Sequence, residues 1–362
     1  MVLTYKYKLY ETIKLKHLHK LVDISGIIYN HVIALHKRYY RLFGKYLSKF
    51  QLQKHITKLK NLDKYRFWKN VGSQAIQNIT ERVDEAYKLF FDNLKRKIRT
   101  SPPSFKKVKR YKSFTLKGKV GYKIEDNVIS LSGYKYKFWL SRPIDGKIKT
   151  VTIKRDNNNF YIAVTIEKKE DENRIATGKK VGIDFGLKKF LTLSDGTEIE
   201  SPLFHLKNLK KLKELSRKIS KAKKGSNNRK KRKDRLSKLH TKIANSRKDY
   251  FHKLANFLKS KYDDIFIEDL NLKAMQKLWG RKINDLAFAE FVTILSYKAN
   301  VHKIDRFYPS SKTCSNCGFK KEKLSLSERE FICENCGFKI DRDLNASINI
   351  CRVGTSTLVE RK

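Results

Sequence analysis

Cysteine is absent from the first 313 residues, and acidic residues are scarce throughout the 362-residue chain. The five cysteines are Cys314, Cys317, Cys333, Cys336 and Cys351, four of them crowded into 23 residues. A disulfide framework spreads its crosslinks over the domain it staples, so this distribution excludes one and points to a reducing compartment, the cytoplasm. Long apolar runs are missing too. Stretches such as GIIYNHVIAL (26–35) are short and interrupted, well under the roughly 20 residues that cross a bilayer. The N-terminus, MVLTYKYKLYETIKLK, has neither the apolar core nor the small-residue cleavage site of a secretory signal. No membrane association is expected. None of the nine histidines sits in a motif, and no chemistry is assigned to them.

The acid deficit leaves 83 Lys and Arg against 36 Asp and Glu, a formal charge of +47. So large an excess repels itself in a compact state unless a polyanion offsets it, which makes nucleic acid the expected partner. Hydrophobic residues, at 40%, suffice for an ordinary folded core. The aromatic 12% supplies core material and candidate base-stacking platforms.

Periodicity divides the chain. Leu3, Tyr5, Tyr7 and Leu9 alternate as one strand. From about 12 to 98 the period is helical, most clearly where Ile76, Ile79, Val83, Tyr87, Phe90 and Leu94 share a face. Pro102 and Pro103 break the pattern and open the basic segment SFKKVKRYKSF. Between 112 and 168 the period is two, with turn signals at Asp126-Asn127, Asp145-Gly146 and residues 156–159. This predicts antiparallel hairpins closing into a small barrel, into which the first strand pairs, leaving the helical segment as an insertion. From Val181 two strands, KVGIDFG and FLTLSDG, precede a basic helical pair (203–224 and 229–261) broken at Gly225-Ser226-Asn227-Asn228. The run KKGSNNRKKRKDR at that turn suits either phosphate contact or plain solvation. A buried strand, DIFIEDL, and a helix from about 283 to 300 follow.

Two constellations carry chemistry. Cys314-x2-Cys317-x15-Cys333-x2-Cys336 is a pair of knuckles, each aiming two thiolates at one point, with Gly318 and Gly337 behind them for the tight turn. This predicts a structural zinc ribbon, with LSLSEREFI as a short hairpin between the knuckles. Cys351 lies outside the spacing and reads as core. The second constellation is three carboxylates on three elements. Asp184 stands mid-strand among Val181, Ile183 and Phe185, Glu268 ends Ile265-Phe266-Ile267, and Asp343 opens a helix with Leu344, Ile348 and Cys351 as its apolar face. A charge at such positions needs a partner or a metal. Asp269 and Asp341 are neighbours that could exchange roles with Glu268 and Asp343, although Asp341 suits the helix N-cap. Three converging acids suit two Mg²⁺ ions about 3.5–4 Å apart.

VGIDFGLKKFLTLSDG, IFIEDL and YPSSKTCSNCG…FICENCGFKIDRDLNASINI together resemble TnpB, the transposon-encoded RNA-guided nuclease family related to type V CRISPR effectors. The resemblance is dense in the C-terminal half. In the N-terminal half it rests on layout and on RPIDGKIKTVTIKR (142–155). It implies a multidomain α+β protein: a wedge-like β-barrel interrupted by a helical recognition segment, then an RNase H-like (RuvC) α/β nuclease domain with an inserted zinc ribbon. The corresponding segments are 1–11 (first barrel strand), 12–103 (recognition), 104–175 (barrel), 176–310 (RuvC), 311–340 (ribbon) and 341–362 (last RuvC helix). It also implies that Asp184, Glu268 and Asp343 are the catalytic acids holding Mg²⁺, and that the four cysteines hold Zn²⁺. The implied activity is RNA-guided cleavage of DNA beside a short flanking motif. A guide RNA and double- and single-stranded target DNA are the partners; monomer and dimer both fit. The helix start at Ser73, Gln74 and Gln77 could face the flanking duplex. Phe331 stands where Trp is usual and Ser347 where Ala is usual. Two alternatives share these features: a nuclease-inactive RNA-guided DNA-binding regulator, and a guide-independent RNase H-like transposase or nuclease.

Overall fold

The computed structural model describes residues 2–118, 120–156, 159–168, 176–325 and 328–360. The predicted turn at 156–159 and the hairpin at 324–332 lie partly outside them. The chain divides into two compact units, Met1–Glu172 and Asn173–Lys362. No described helix is long and apolar enough to cross a membrane.

The first unit begins with strand β1 (Val2–Lys8) and helices α1 (Leu15–Phe43), α2 (Lys49–Leu59) and α3 (Ser73–Lys95). Strands β2 (Ser113–Lys117), β3 (Tyr122–Glu125), β4 (Val128–Leu131), β5 (Tyr134–Lys137), β6 (Lys147–Asp156) and β7 (Asn159–Glu167) follow. Antiparallel pairing gives the order β1-β7-β6-β2, so the first strand joins the later hairpins across the helical insertion, as expected. Period-two alternation fixes the buried face: Phe160, Ile162, Val164 and Ile166 of β7 point one way. On α3, Ile76, Ile79, Val83 and Tyr87 are buried, while Leu94 at the frayed end is half exposed. Helices and sheet share one hydrophobic core.

The expected barrel does not close. β1 and β2 are the two edges of a four-stranded sheet, and β3-β4-β5 form a separate three-stranded one. A single bridge, Leu9 to Phe138, links their ends. Closure requires edge strands to meet, and here the buried face is covered by helices instead. Arg82 of α3 donates to the Ser113 carbonyl at 3.0 Å, which seats that helix on the β2 edge.

The second unit contains β8 (Lys180–Phe185), β9 (Lys189–Leu193), β10 (Glu198–Glu200), α4 (Phe204–Lys207), α5 (Leu209–Ser220), α6 (Asn227–Lys261) and β11 (Asp264–Glu268). It continues with α7 (Leu272–Leu286), α8 (Phe288–Ser296), β12 (Asn300–Ile304), β13 (Glu330–Ile332), β14 (Lys339–Asp341) and α9 (Arg342–Glu360). Its sheet runs β10-β9-β8-β11-β12, with β8, β11 and β12 parallel and β9 and β10 antiparallel to their neighbours. The basic helical pair is α5 and α6, joined through Leu212, Leu239 and Ile243. The helix expected over 283–300 is instead the end of α7, then α8 after a left-handed Ala287, then β12. Its apolar residues did not reveal the break.

Helix α9 lies against β8 at Gly182, where a Cβ would fall 2.1 Å from the Ser347 carbonyl oxygen and 2.5 Å from the Cys351 nitrogen. No side chain fits there, so glycine at this strand position lets the helix backbone settle directly on the sheet. Ile350 is the buried anchor of α9, with Cys351 and Val353 beside it, rather than the Leu344–Ile348–Cys351 face read from spacing.

Candidate active site and metal centre

Strands β8 and β11 are parallel and registered up to the pair Ile183–Ile267. One residue further along each stand Asp184 and Glu268, so both carboxylates leave adjacent strands at the same carboxyl-terminal rim. Gly182 and Asp184, two apart on a strand, share a face. The helix that packs on Gly182 therefore brings its N-terminus toward Asp184, and Asp343 lies one turn before Ser347. All three predicted acids line one cavity of about 570 Å³.

The electrostatics carry the mark of that convergence. Asp184 is pushed up to about 8, first by removal from water and then by the charges of Glu268 and Asp343; Arg342 opposes this weakly. Glu268 is raised by burial against a lowering hydrogen bond from the Ser310 hydroxyl. Arg342 reaches Asp343 Oδ1 at 3.2 Å. Lys188, Lys312 and Arg329 also line the cavity, which suits it to an anion.

The two neighbouring acids part company. Asp341 Oδ1 accepts the backbone N–H groups of Asp343 at 2.9 Å and Leu344 at 3.0 Å, an N-cap, and Oδ2 meets Lys189 at 3.2 Å. Asp269 turns to Lys303 and Arg306. Neither lines the cavity. Sequence reading assigned no role to Ser310, Lys189, Arg342, Asn345 or Asn349. Ser310 lies within the quoted YPSSKTC, yet nothing in a lone serine's spacing says which carboxylate it will meet.

The ribbon is built from two alike knuckles. Cys314 N–H donates to the Phe319 carbonyl and Cys333 N–H to that of Phe338, while Gly318 and Gly337, at φ of 79° and 69°, return their N–H groups to Cys314 and Cys333. The pairs interleave: Cys314 Sγ is 3.8 Å from Cys336 Sγ, and Cys317 Sγ is 3.6 Å from Cys333 Sγ. Zinc–sulfur bonds of about 2.3 Å arranged tetrahedrally imply sulfur–sulfur edges of about 3.8 Å, so the donor set fits zinc. All four sulfurs lie within 4.8 Å of one another, the one such group among the described residues. The three carboxylates are spread more widely around their cavity.

Phe331 is fully buried with Leu324, Phe338 and Ile340 around it, so the residue in the place of the usual Trp forms the ribbon's small core. The described strand of LSLSEREFI, β13, pairs with β14 beyond the second knuckle. Lys312, Leu324, Ser325 and Arg329 line the acid cavity, which places the ribbon at its lip.

Fold and site together define a mixed α/β protein with a three-acid cleft beside a four-cysteine cluster able to hold zinc. The chain is similar to the TnpB family. Residues 162–278 match a family model described as "Probable transposase", and 288–350 match one described as "Cas12f1-like, TNB domain". Two bacterial relatives are named, provisionally, as RNA-guided DNA endonucleases. One, from Streptomyces pristinaespiralis, is 28% identical over 97% of this chain and 89% of its own. The other, InsQ of Escherichia coli (strain K12), is 29% identical over 91% and 87%. Among solved structures, a Cas12f1–sgRNA–target DNA complex matches with a TM-score of 0.62 at 15% identity, covering 94% of this chain and 83% of that one. CasPhi-2 (Cas12j) bound to crRNA matches at 0.52 and 10% identity, covering 98% of both chains.

Proposed function

We propose that this chain is an RNA-guided DNA endonuclease of the TnpB type, associated with a transposon and cutting target DNA beside a short flanking motif. The observation that supports this best is the meeting of Asp184 and Glu268, at one strand rim, with Asp343, at the start of α9, around one cavity, with Asp184 pushed up to about 8 by its burial and its two neighbours. Three acids lining one cavity repel one another, and the repulsion is relieved by divalent cations, for which carboxylate oxygens are the matching ligands. Bound Mg²⁺ would supply the activated water and neutralise the charge developing on a phosphodiester.

The residues around the acids support a nucleic-acid substrate. Lys188, Lys312, Arg329 and Arg342 bring positive charge to the cavity wall, where a phosphate backbone would pass. Asp341 caps α9 and leaves Asp343 to the cleft. The sheet order β10-β9-β8-β11-β12, in which only β9 runs against the other four strands, is read as the RNase H-like arrangement of a RuvC domain spanning 176–310 and 341–362. Residues 311–340 form the ribbon, 1–11 and 104–175 a wedge built on an open sheet, and 12–103 the recognition segment. Ser73 and Gln77 are exposed at the start of α3, whose Gly72 cap makes no side-chain bond. Their exposure is what would let them meet the flanking duplex, while Gln74 between them is half-buried.

The guide RNA carries specificity in this reading, and the protein holds a heteroduplex by its backbone. Roughly 20 base pairs bring on the order of 40 phosphates, comparable to the +47 charge. The deciding experiment compares wild type with Asp184→Ala for Mg²⁺-dependent cleavage and guide-RNA binding. Lost cleavage with retained RNA binding is expected; unchanged cleavage sinks the assignment. Sequencing co-purifying RNA addresses the guide, since one abundant species with a variable end is expected and heterogeneous bulk RNA contradicts it.

A further inference from the structure

Among the described residues, Glu268 is the cleft acid whose carboxylate is gripped by a neutral side chain. The Ser310 hydroxyl donates to its Oε1. Ser310 is itself buried, and its backbone carbonyl accepts from the Asn349 side-chain amide at 2.9 Å. That amide's second donor goes to the Thr313 carbonyl at 2.6 Å, and Asn345 donates to the same carbonyl at 2.7 Å while receiving the Ser315 N–H at 2.9 Å. Both asparagines are buried on α9, four residues apart on one face. Segment 310–315 is thus tied down at three backbone positions by the helix that carries Asp343.

The tie is expensive, which argues that it does more than fill space. The Asn349 Oδ1 atom is buried without a hydrogen bond among the described residues. Such an orphan costs about 1–3 kcal/mol. A purely packed helix face would favour an aliphatic residue there. What the amide supplies is a pair of N–H donors in fixed geometry, one of them aimed at the carbonyl of the residue that holds Glu268.

We propose that Ser310 and Asn349 are positioning residues for Glu268: Ser310 orients the carboxylate, and Asn349 holds Ser310 in place from the helix bearing Asp343. The two acids are then fixed relative to each other through α9 rather than through the sheet alone. This rests on the nuclease reading above. A group that orients a metal-binding carboxylate without touching the metal is typically worth 10- to 100-fold in affinity.

The test is Mn²⁺ binding to the full-length purified protein, followed by loss of the free-ion electron paramagnetic resonance signal, with thermal unfolding alongside. Ser310→Ala is expected to weaken Mn²⁺ binding by about tenfold with little change in unfolding temperature, and Ser310→Thr, which keeps the hydroxyl, to recover most of it. Asn349→Ala leaves that hydroxyl in place and is expected to weaken binding in the same direction, with some loss of stability. Ser310→Ala and Asn349→Ala both binding within twofold of wild type overturns the proposal. Asp184→Ala separates this failure from a failure of the nuclease reading. If that variant binds Mn²⁺ as wild type does, the acid cleft is not a metal site, and both readings fall.

Discussion

The Asp341 carboxylate accepts the backbone N–H of Asp343 at 2.9 Å, so the last residue of the ribbon's hairpin is also the cap of the helix that carries a cleft acid. One side chain ends β14, starts α9 and binds Lys189 of the central sheet. Removing the capping oxygen leaves helix donors without a partner, at a typical cost of about 1 kcal/mol. Asp341→Ala is expected to lose about that much stability in urea unfolding and to slow cleavage. Asp341→Asn, which keeps an acceptor, should lose less. Equal losses in the two variants would show that the Lys189 charge pair, and not the cap, is what matters.

Metal analysis of purified protein should find about one zinc per chain. Cys333→Ser should remove it and expose the Phe331 core to proteolysis, because that core is small and built directly on Cys314 and Cys333. A zinc-free wild-type protein with four titratable thiols would reject the ribbon's metal.

His36 predicts an acid limit for the first unit. It is buried, with Nε2 unpartnered among the described residues, stacks on Tyr46 at 5.0 Å and lies tilted against Tyr87 at 4.6 Å between ring centres. Burial lowers it from 6.5 to about 4, although Asp84 pulls the other way. Between those values the unfolded chain binds a proton that the fold refuses. Stability is therefore full above about pH 6.5 and is lost as pH falls toward 4, by at most about 3 kcal/mol. Hydrogen exchange of α1 across this range should show the loss, and His36→Phe should flatten it.

Gly182→Ala is expected to cost about 3 kcal/mol or more, because the added carbon meets the α9 backbone, which no rotamer change can move aside. Circular dichroism melts and expression yield will report it. An alanine variant as stable as wild type would mean that α9 does not sit on β8 as described.

Much of this was legible in the sequence, for physical reasons that differ by residue. The cysteine spacing fixes a tetrahedron almost by itself, since each knuckle is local. Asp184 and Glu268 were visible because a charge in an apolar strand run is conspicuous, and Asp341 because capping follows a local rule. Their separation into adjacent parallel strands, in register to within one residue, depends on pairing that no local pattern states. The barrel failed for a related reason: alternation shows that a strand has one buried face, but not whether helices or another strand will cover it. Ser310 and Asn349 were unreadable because their meaning is a contact between chain segments about forty residues apart.

Asp184 stands at the rim of the central strand β8, lining the cavity beside two other acids, and its burial and their charges push its carboxyl up to about 8. Without a cation, ionising Asp184 there is opposed by its burial and by its two acidic neighbours. Replacing Asp184 with a neutral residue of similar shape should make the metal-free molecule sturdier, most of all in alkaline buffer, while the proposed nuclease reading expects it to abolish cleavage. If the proposed nuclease reading holds, robustness and competence are opposed at this one position, and a search for hardier variants that screened only for heat tolerance would select against cleavage.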